Sequence, residues 1–216
     1  MTANRAALVR ANDSDPTLAD DADEILAGLT APQKRISPKY FYDETGSRLF
    51  DEICALPEYY PTRTERAIMT AHLGEMAALI GPRAAVIEFG SGSCQKIRQL
   101  LDGLDDPVAY VPVDISEKYL SGMASAVARD YPSLQVVPVY ADFTRPFELP
   151  VHEEMPVRNL IFFPGSTIGN FERGDAAALL DVMRIEAGSD GALLIGVMSG
   201  NLSCRLISLM EQAPFE

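Results

Sequence analysis

From residue 84 onward the apolar positions fall into two alternating kinds of run. "AAVIEF" (84–89), "VAYVPVD" (108–114), "LQVVPVYAD" (134–142), "NLIFFPG" (159–165) and "GALLIGV" (191–197) are short and almost continuously apolar. Such runs, without a polar alternation, predict strands buried on both faces. Between them, "CQKIRQLLDGL" (94–104), "SEKYLSGMASAVARDY" (116–131) and "DAAALLDVMRIEA" (175–187) predict helices. Strands alternating with helices predict parallel βαβ units, hence an α/β fold with a doubly wound parallel sheet.

Upstream the pattern differs. Residues 1–35 are polar and rich in Ala and Asp, with a short helix expected near "DADEILAGL" (21–29). Residues 36–80 begin with a segment crowded with aromatics and turn formers. A helix is expected to start near Thr64, whose hydroxyl can cap it, with Met69, Leu73, Met76 and Ile80 on one face and Gly81-Pro82 at its end. The chain therefore divides into a polar extension (1–35), an aromatic and helical region (36–80), the α/β domain (81–197) and a tail (198–216).

The formal net charge of −13 argues against nucleic acid as a partner, since phosphate binding needs basic surface. No apolar run is long enough to span a bilayer, and the first residues show no apolar leader, so a membrane is not expected and a cytoplasmic location is. Cys54, Cys94 and Cys204 have neither metal-site nor disulfide spacing, and His72 and His152 give little material for a zinc centre or a Ser-His-Asp triad. No metal is expected.

Ligands in doubly wound sheets sit at the carboxyl ends of the strands, so the residues just after each strand carry most information. The first expected strand leads into Glu88, Gly90, Ser91 and Gly92. A Gly-x-Gly turn opening a helix presents free backbone N–H groups. A dinucleotide fingerprint would want Gly where the chain has Gln95, and the Gly-Lys-Ser/Thr of a P-loop is absent. The second strand ends in Asp114, placed to accept from ribose hydroxyls; Ser116 is expected to cap the next helix in its stead. The third leads to Asp142-Phe143, an acid and a ring face suited to adenine. The fourth leads to "PGSTIGNF", where Asn170 can bind a polar substrate group or simply form a turn. Together these describe an adenosine pocket with no strong phosphate grip. Glu88 disfavours a pyrophosphate and suits the ammonium of S-adenosylmethionine.

"YFYDETGSRLFDEICALPEYYPTRTE", "IEFGSGSCQK", "PVDIS", "ADF" and "GSTIGNF", in this order, resemble the S-adenosylmethionine-dependent histidine-specific methyltransferases over about residues 36–197. The resemblance implies a Rossmann-like class I methyltransferase fold with an N-terminal substrate or lid region. It implies cofactor-site positions at Gly90 and Lys96, the ribose acid at Asp114 and the adenine site at Asp142 and Phe143. It places Tyr42 and Tyr59 in the substrate site, with Asn170 holding the amino acid's polar ends. Tyr42 and Asn170 are the expected catalytic residues, and Tyr59 and Asn170 the expected substrate ligands. The implied reaction is stepwise methylation of the α-amino group of L-histidine to its trimethyl betaine, hercynine, in ergothioneine biosynthesis.

Family members run about a hundred residues further, and the tail "MSGNLSCRLISLMEQAPFE" is unlike them. A truncated chain is thus expected, with about five of seven strands, an exposed edge at the fifth, poor stability or self-association, and little transfer activity. Three functional readings follow: a histidine methyltransferase or one acting on another amino acid, a non-catalytic S-adenosylmethionine-binding fragment, and an NAD-dependent dehydrogenase. Gln95 and Glu88 count against the last.

Overall fold

The computed structural model describes residues 8–11, 18–92, 94–199 and 203–209. Its eight strands are β1 (Val9–Arg10), β2 (Ala84–Phe89), β3 (Ala109–Asp114), β4 (Gln135–Val136), β5 (Val139–Tyr140), β6 (Arg158–Phe163), β7 (Ala192–Ser199) and β8 (Ser203–Leu209). Its helices are α1 (Leu18–Thr30), α2 (Glu44–Ala55), α3 (Pro61–Ile80), α4 (Cys94–Gly103), α5 (Glu117–Asp130) and α6 (Arg173–Ala187). One sheet runs β1-β5-β3-β2-β6-β7-β8, with β4 also on β3. Every pair is parallel except β7 with β8. The chain leaves β2 toward β3 on one side and returns to β6 on the other, so the topological switch point lies at the carboxyl end of β2.

The apolar runs have the meaning expected of them: all six residues of β2 are buried. Alternate positions feed two cores. Val86, Tyr110, Leu160 and Leu194 pack with Met69, Met76, Ile97, Leu100 and Val127 of α3, α4 and α5. Ile87, Phe89, Val111, Ile161 and Phe163 pack with Leu179, Val182 and Met183 of α6. Helices on both faces make the strands central, which is why they carry no polar alternation.

Four expectations need correction. Among the described residues the sheet has eight strands, where about five were expected. "LQVVPVYAD" is two strands, because Pro138 has no N–H to give the ladder; its carbonyl instead accepts from Val9 N at 2.9 Å and so helps to seat β1. Helix α3 starts at Pro61, a residue pre-set for the first helical position, and not near Thr64; Thr64 N already donates to Tyr60 O at 2.9 Å. The edge of β7 is not bare: β8, from the tail, pairs with it from Leu193↔Leu209 to Ser199↔Ser203. An open row of N–H and C=O groups is a template for the next available strand. Residues 1–7 and 12–17 of the expected extension, and 200–202 and 210–216 of the tail, lie outside the described residues. Among the described residues no helix is long and apolar enough to cross a membrane.

Candidate active site

The turn after β2 demands glycine. Gly90 has φ +75°, a left-handed conformation that L side chains rarely adopt, and its N–H donates to Val113 O at 2.9 Å across to β3. A Cβ there would come within 3.5 Å of the Phe143 ring. The turn therefore holds the ends of β2, β3 and the loop after β5 close together.

Three acids ring this point. Glu88 is buried, and Tyr110 Oη donates to its Oε2 at 2.5 Å. Burial pushes its carboxyl up to about 8, against the opposing pull of the Tyr110 bond and the Lys96 charge. Asp114 is pushed up to about 6 by burial, with N–H groups of Ser116, Ile115 and Ser91 pulling the other way. Its Oδ1 accepts Ser116 N–H at 2.9 Å. Ser116 makes no side-chain cap bond to α5, contrary to expectation; the acid orders the helix entry while it lines the cavity. Asp142 accepts from Thr144 N at 3.0 Å and Thr144 Oγ1 at 2.6 Å through Oδ1, while Lys39 Nζ stands 3.4 Å from Oδ2. Phe143 touches Phe89 and Phe163, with centroids 5.6 and 6.1 Å apart, so it is both core and cavity wall.

The opposite wall is aromatic. Asp43 caps α2 through Gly46 N at 2.7 Å, which sets Phe50 between Tyr42 (5.9 Å) and Tyr59 (6.0 Å), both edge-on. Burial raises both phenols above their ordinary value. The third wall is the loop after β6. Gly165 (φ +83°) and Ser166 (φ +59°) both turn left-handed, and Ser166 Oγ accepts Met198 N–H from β7 at 3.0 Å. A short 3₁₀ turn, Thr167–Asn170, then brings Asn170 to the rim.

Tyr42, Tyr59, Glu88, Gly90, Ser91, Gly92, Lys96, Asp114, Asp142, Phe143 and Asn170 all line one cavity of about 570 Å³. Sequence reasoning missed other lining residues. Phe50, Asp51, Cys54 and Tyr119 come from two amphipathic helices where nothing marks the inward face, and Asp51 accepts from Tyr119 Oη at 3.0 Å. Lys39 bridges Asp142 to Glu24 (2.8 Å) and Asp21 (3.6 Å) of α1, a juxtaposition with no local signal. Among the described residues no group of three His, Cys, Asp or Glu converges to hold a metal ion.

Residues 21–205 match the family described as "Histidine-specific methyltransferase, SAM-dependent". The histidine N-alpha-methyltransferase of Mycolicibacterium smegmatis is 36% identical over 203 residues, covering 90% of this chain and 62% of that protein. Its namesake from Mycobacterium tuberculosis is 37% identical over 190 residues, covering 85% and 57%. The chain thus spans about three fifths of the length of these relatives. Among solved structures, magnesium protoporphyrin IX methyltransferase from Synechocystis, with bound SAM, superposes with a TM-score of 0.50 at 15% identity, covering 76% of each chain. At that identity the likeness concerns the fold, which is that of the class I methyltransferases.

Proposed function

The chain belongs to the histidine-specific, SAM-dependent methyltransferase family, and from that premise we propose that it transfers methyl groups from S-adenosylmethionine to the α-amino nitrogen of L-histidine. One observation carries the reading. Acids at the ends of three neighbouring strands, Glu88, Asp114 and Asp142, face a cavity whose other walls are Tyr42, Tyr59 and Asn170.

The cavity suits an adenosine ligand that carries cationic groups and no phosphate. Asp114 accepts from ribose hydroxyls, and Asp142 with Phe143 takes the adenine edge and face. Glu88 lies where an ammonium group favours its ionised form against burial, whereas a dinucleotide pyrophosphate would keep the carboxyl neutral and find no counter-charge in it. When bound, the co-substrate supplies an electrophilic methyl on its sulfonium sulfur; the acceptor ammonium first gives up a proton to solvent, and its neutral nitrogen then forms the new C–N bond as the C–S pair returns to sulfur, leaving S-adenosylhomocysteine. The protein's part is alignment, exclusion of water and proton control.

Tyr42 orients the acceptor amine, Tyr59 takes the carboxylate, and Asn170 bonds both ends of the amino acid. The amine must be neutral to attack. A half-buried aromatic wall and a nearby positive charge both favour its neutral form. Repetition of the cycle gives the trimethyl betaine.

The test is calorimetric titration of S-adenosylhomocysteine into the 216-residue chain, then of L-histidine into the binary complex, with NAD as competitor. Saturable binding of the first, displacement-resistant to NAD, followed by histidine binding and turnover with the methyl donor, is expected. Preference for NAD would overturn the reading. Silent S-adenosylhomocysteine binding without histidine turnover would reduce the chain to a cofactor binder.

A further inference from the structure

Helix α3 hides one carboxylate where its register puts core residues. Glu65, Met69, Met76 and Ile80 are its buried positions, and Glu65 is only 2% exposed. A buried acid persists only where partners replace its water. Glu65 has two, both from the cavity wall. Its Oε2 meets Lys96 Nζ of α4 at 2.5 Å. Its Oε1 and Oε2 accept the Gly165 N–H at 2.8 and 3.1 Å. Lys96 and Gly165 line the cavity, whereas Glu65 stands behind them. The fold also makes room for it: a Cβ on Gly196 of β7 would sit 1.8 Å from Glu65 Oε1. Likewise, a Cβ on Gly165 would lie 3.3 Å from Lys96 Nζ.

Resting on the functional reading above, we propose that Glu65 is a positioning residue for the methyl-transfer site. It touches no substrate. It holds the Lys96 ammonium at the cofactor wall, and through the Gly165 N–H it fixes the root of the loop that ends in Asn170. One carboxylate thereby sets the cofactor wall and the acceptor wall at a common distance. An ammonium keeps donors to spare after bonding one carboxylate, so Lys96 remains able to meet the carboxylate of the bound ligand. Loss of the Glu65 charge leaves Lys96, at 12% side-chain exposure, without its ion-pair partner and with only the buried Glu88 as a nearby acid, and the flexible side chain then leaves the wall for water.

Glu65→Gln isolates the ion pair, because the amide oxygen still accepts the Gly165 N–H. S-adenosylhomocysteine is titrated into four chains: native, Glu65→Gln, Lys96→Met and the double variant, each checked for a cooperative thermal transition. Glu65→Gln is expected to weaken binding roughly tenfold in the native background and less than about twofold on top of Lys96→Met, as contacting residues that act as a unit are non-additive. If Glu65→Gln does not fold, Glu65→Asp, which keeps the charge but shortens the reach, replaces it in the cycle. Unchanged or tighter binding, or an equal loss in both backgrounds, overturns the proposal. Absence of binding by the native chain is a different failure, and it overturns the cofactor reading itself.

Discussion

Two of the cavity's walls, the strand ends and the aromatic segment, are built by different means. On the strand-end wall, two of the acids are held by the main chain, Asp114 by the Ser116 N–H and Asp142 by the Thr144 N–H, while Glu88 is held by the Tyr110 hydroxyl and the turn after β2 by the Gly90 bond to Val113 O. On the aromatic wall, Tyr42, Phe50 and Tyr59 hold one another edge-on, and the outer face of their segment leaves Phe41, Leu49, Ile53, Leu56 and Tyr60 exposed. Hydrogen bonds to a sheet fix positions to fractions of an ångström, whereas ring contacts tolerate sliding. The first wall is thus preformed for a ligand of fixed shape, and, on the proposed function, the second can adjust around an acceptor that gains methyl groups as it reacts.

The sharpest way to break this contrast is Asp114→Ala. Each hydrogen bond to a charged group contributes about 1.5–3 kcal/mol, so if Asp114 takes two ribose hydroxyls, as proposed, its loss should weaken S-adenosylhomocysteine at least ~100-fold. A chain that still bound the ligand within a few-fold of native would show that the strand-end wall does not select it.

Next in size is Gly196→Ala. The added methyl collides with Glu65 Oε1 in the interior of a strand where φ makes no demand for glycine. Overpacking typically costs about 1–3 kcal/mol. For a domain of this size the midpoint should fall by about 2–4 °C for each kcal/mol. Thermal unfolding followed by circular dichroism reads the shift. An unchanged midpoint would mean that Glu65 leaves its place without cost.

Glu88→Gln separates stability from binding. The folded carboxyl titrates at about 8 and its ordinary value is 4.5. A group whose pKa is raised on folding contributes stability in full below the unfolded value, and that contribution is lost as pH rises through the folded value. The native chain should therefore lose stability from about pH 4.5 to 8 through this residue, and the amide should not. At pH 8.5 Glu88→Gln should be the more stable empty chain by about 1–3 kcal/mol, with the difference closing near pH 4. Its affinity for S-adenosylhomocysteine should fall nonetheless. Parallel melting curves at the two pH values would contradict a buried, titrating Glu88.

How much of this was legible in the sequence follows from the same contrast. The central strands were legible because burial on both faces leaves an almost continuous apolar run, as in Ala84–Phe89, where only Glu88 interrupts it. The strand-end acids were legible because parallel sheets bind at their carboxyl ends. Val9–Arg10 was not, since two residues carry no period and β1 exists only by pairing with β5. Glu65 was not either. An acid in the first turns of a helix normally faces water and favours the helix dipole, and only Lys96, Gly165 and Gly196, far along the chain, make it a core residue. The aromatic segment was marked by its resemblance to a family and not by its pattern, because rings near turns read equally well as core, lid or site.

The smallest effect tests the adjustable wall. Tyr59 is half-buried, edge-on to Phe50 and on the cavity wall opposite the strand ends. Tyr59→Phe keeps the ring contact and removes one hydroxyl. If that hydroxyl takes the acceptor carboxylate, the loss is one hydrogen bond, about 0.5–1.5 kcal/mol, or roughly a two- to thirteenfold rise in the histidine Kd measured on the S-adenosylhomocysteine complex. The affinity for S-adenosylhomocysteine itself should not move, because no ring of this wall belongs to the strand-end hydrogen-bond set. A fall in both affinities would show that the walls are one rigid unit. A fall in neither would remove Tyr59 from the acceptor site and leave Asn170 alone on the carboxylate.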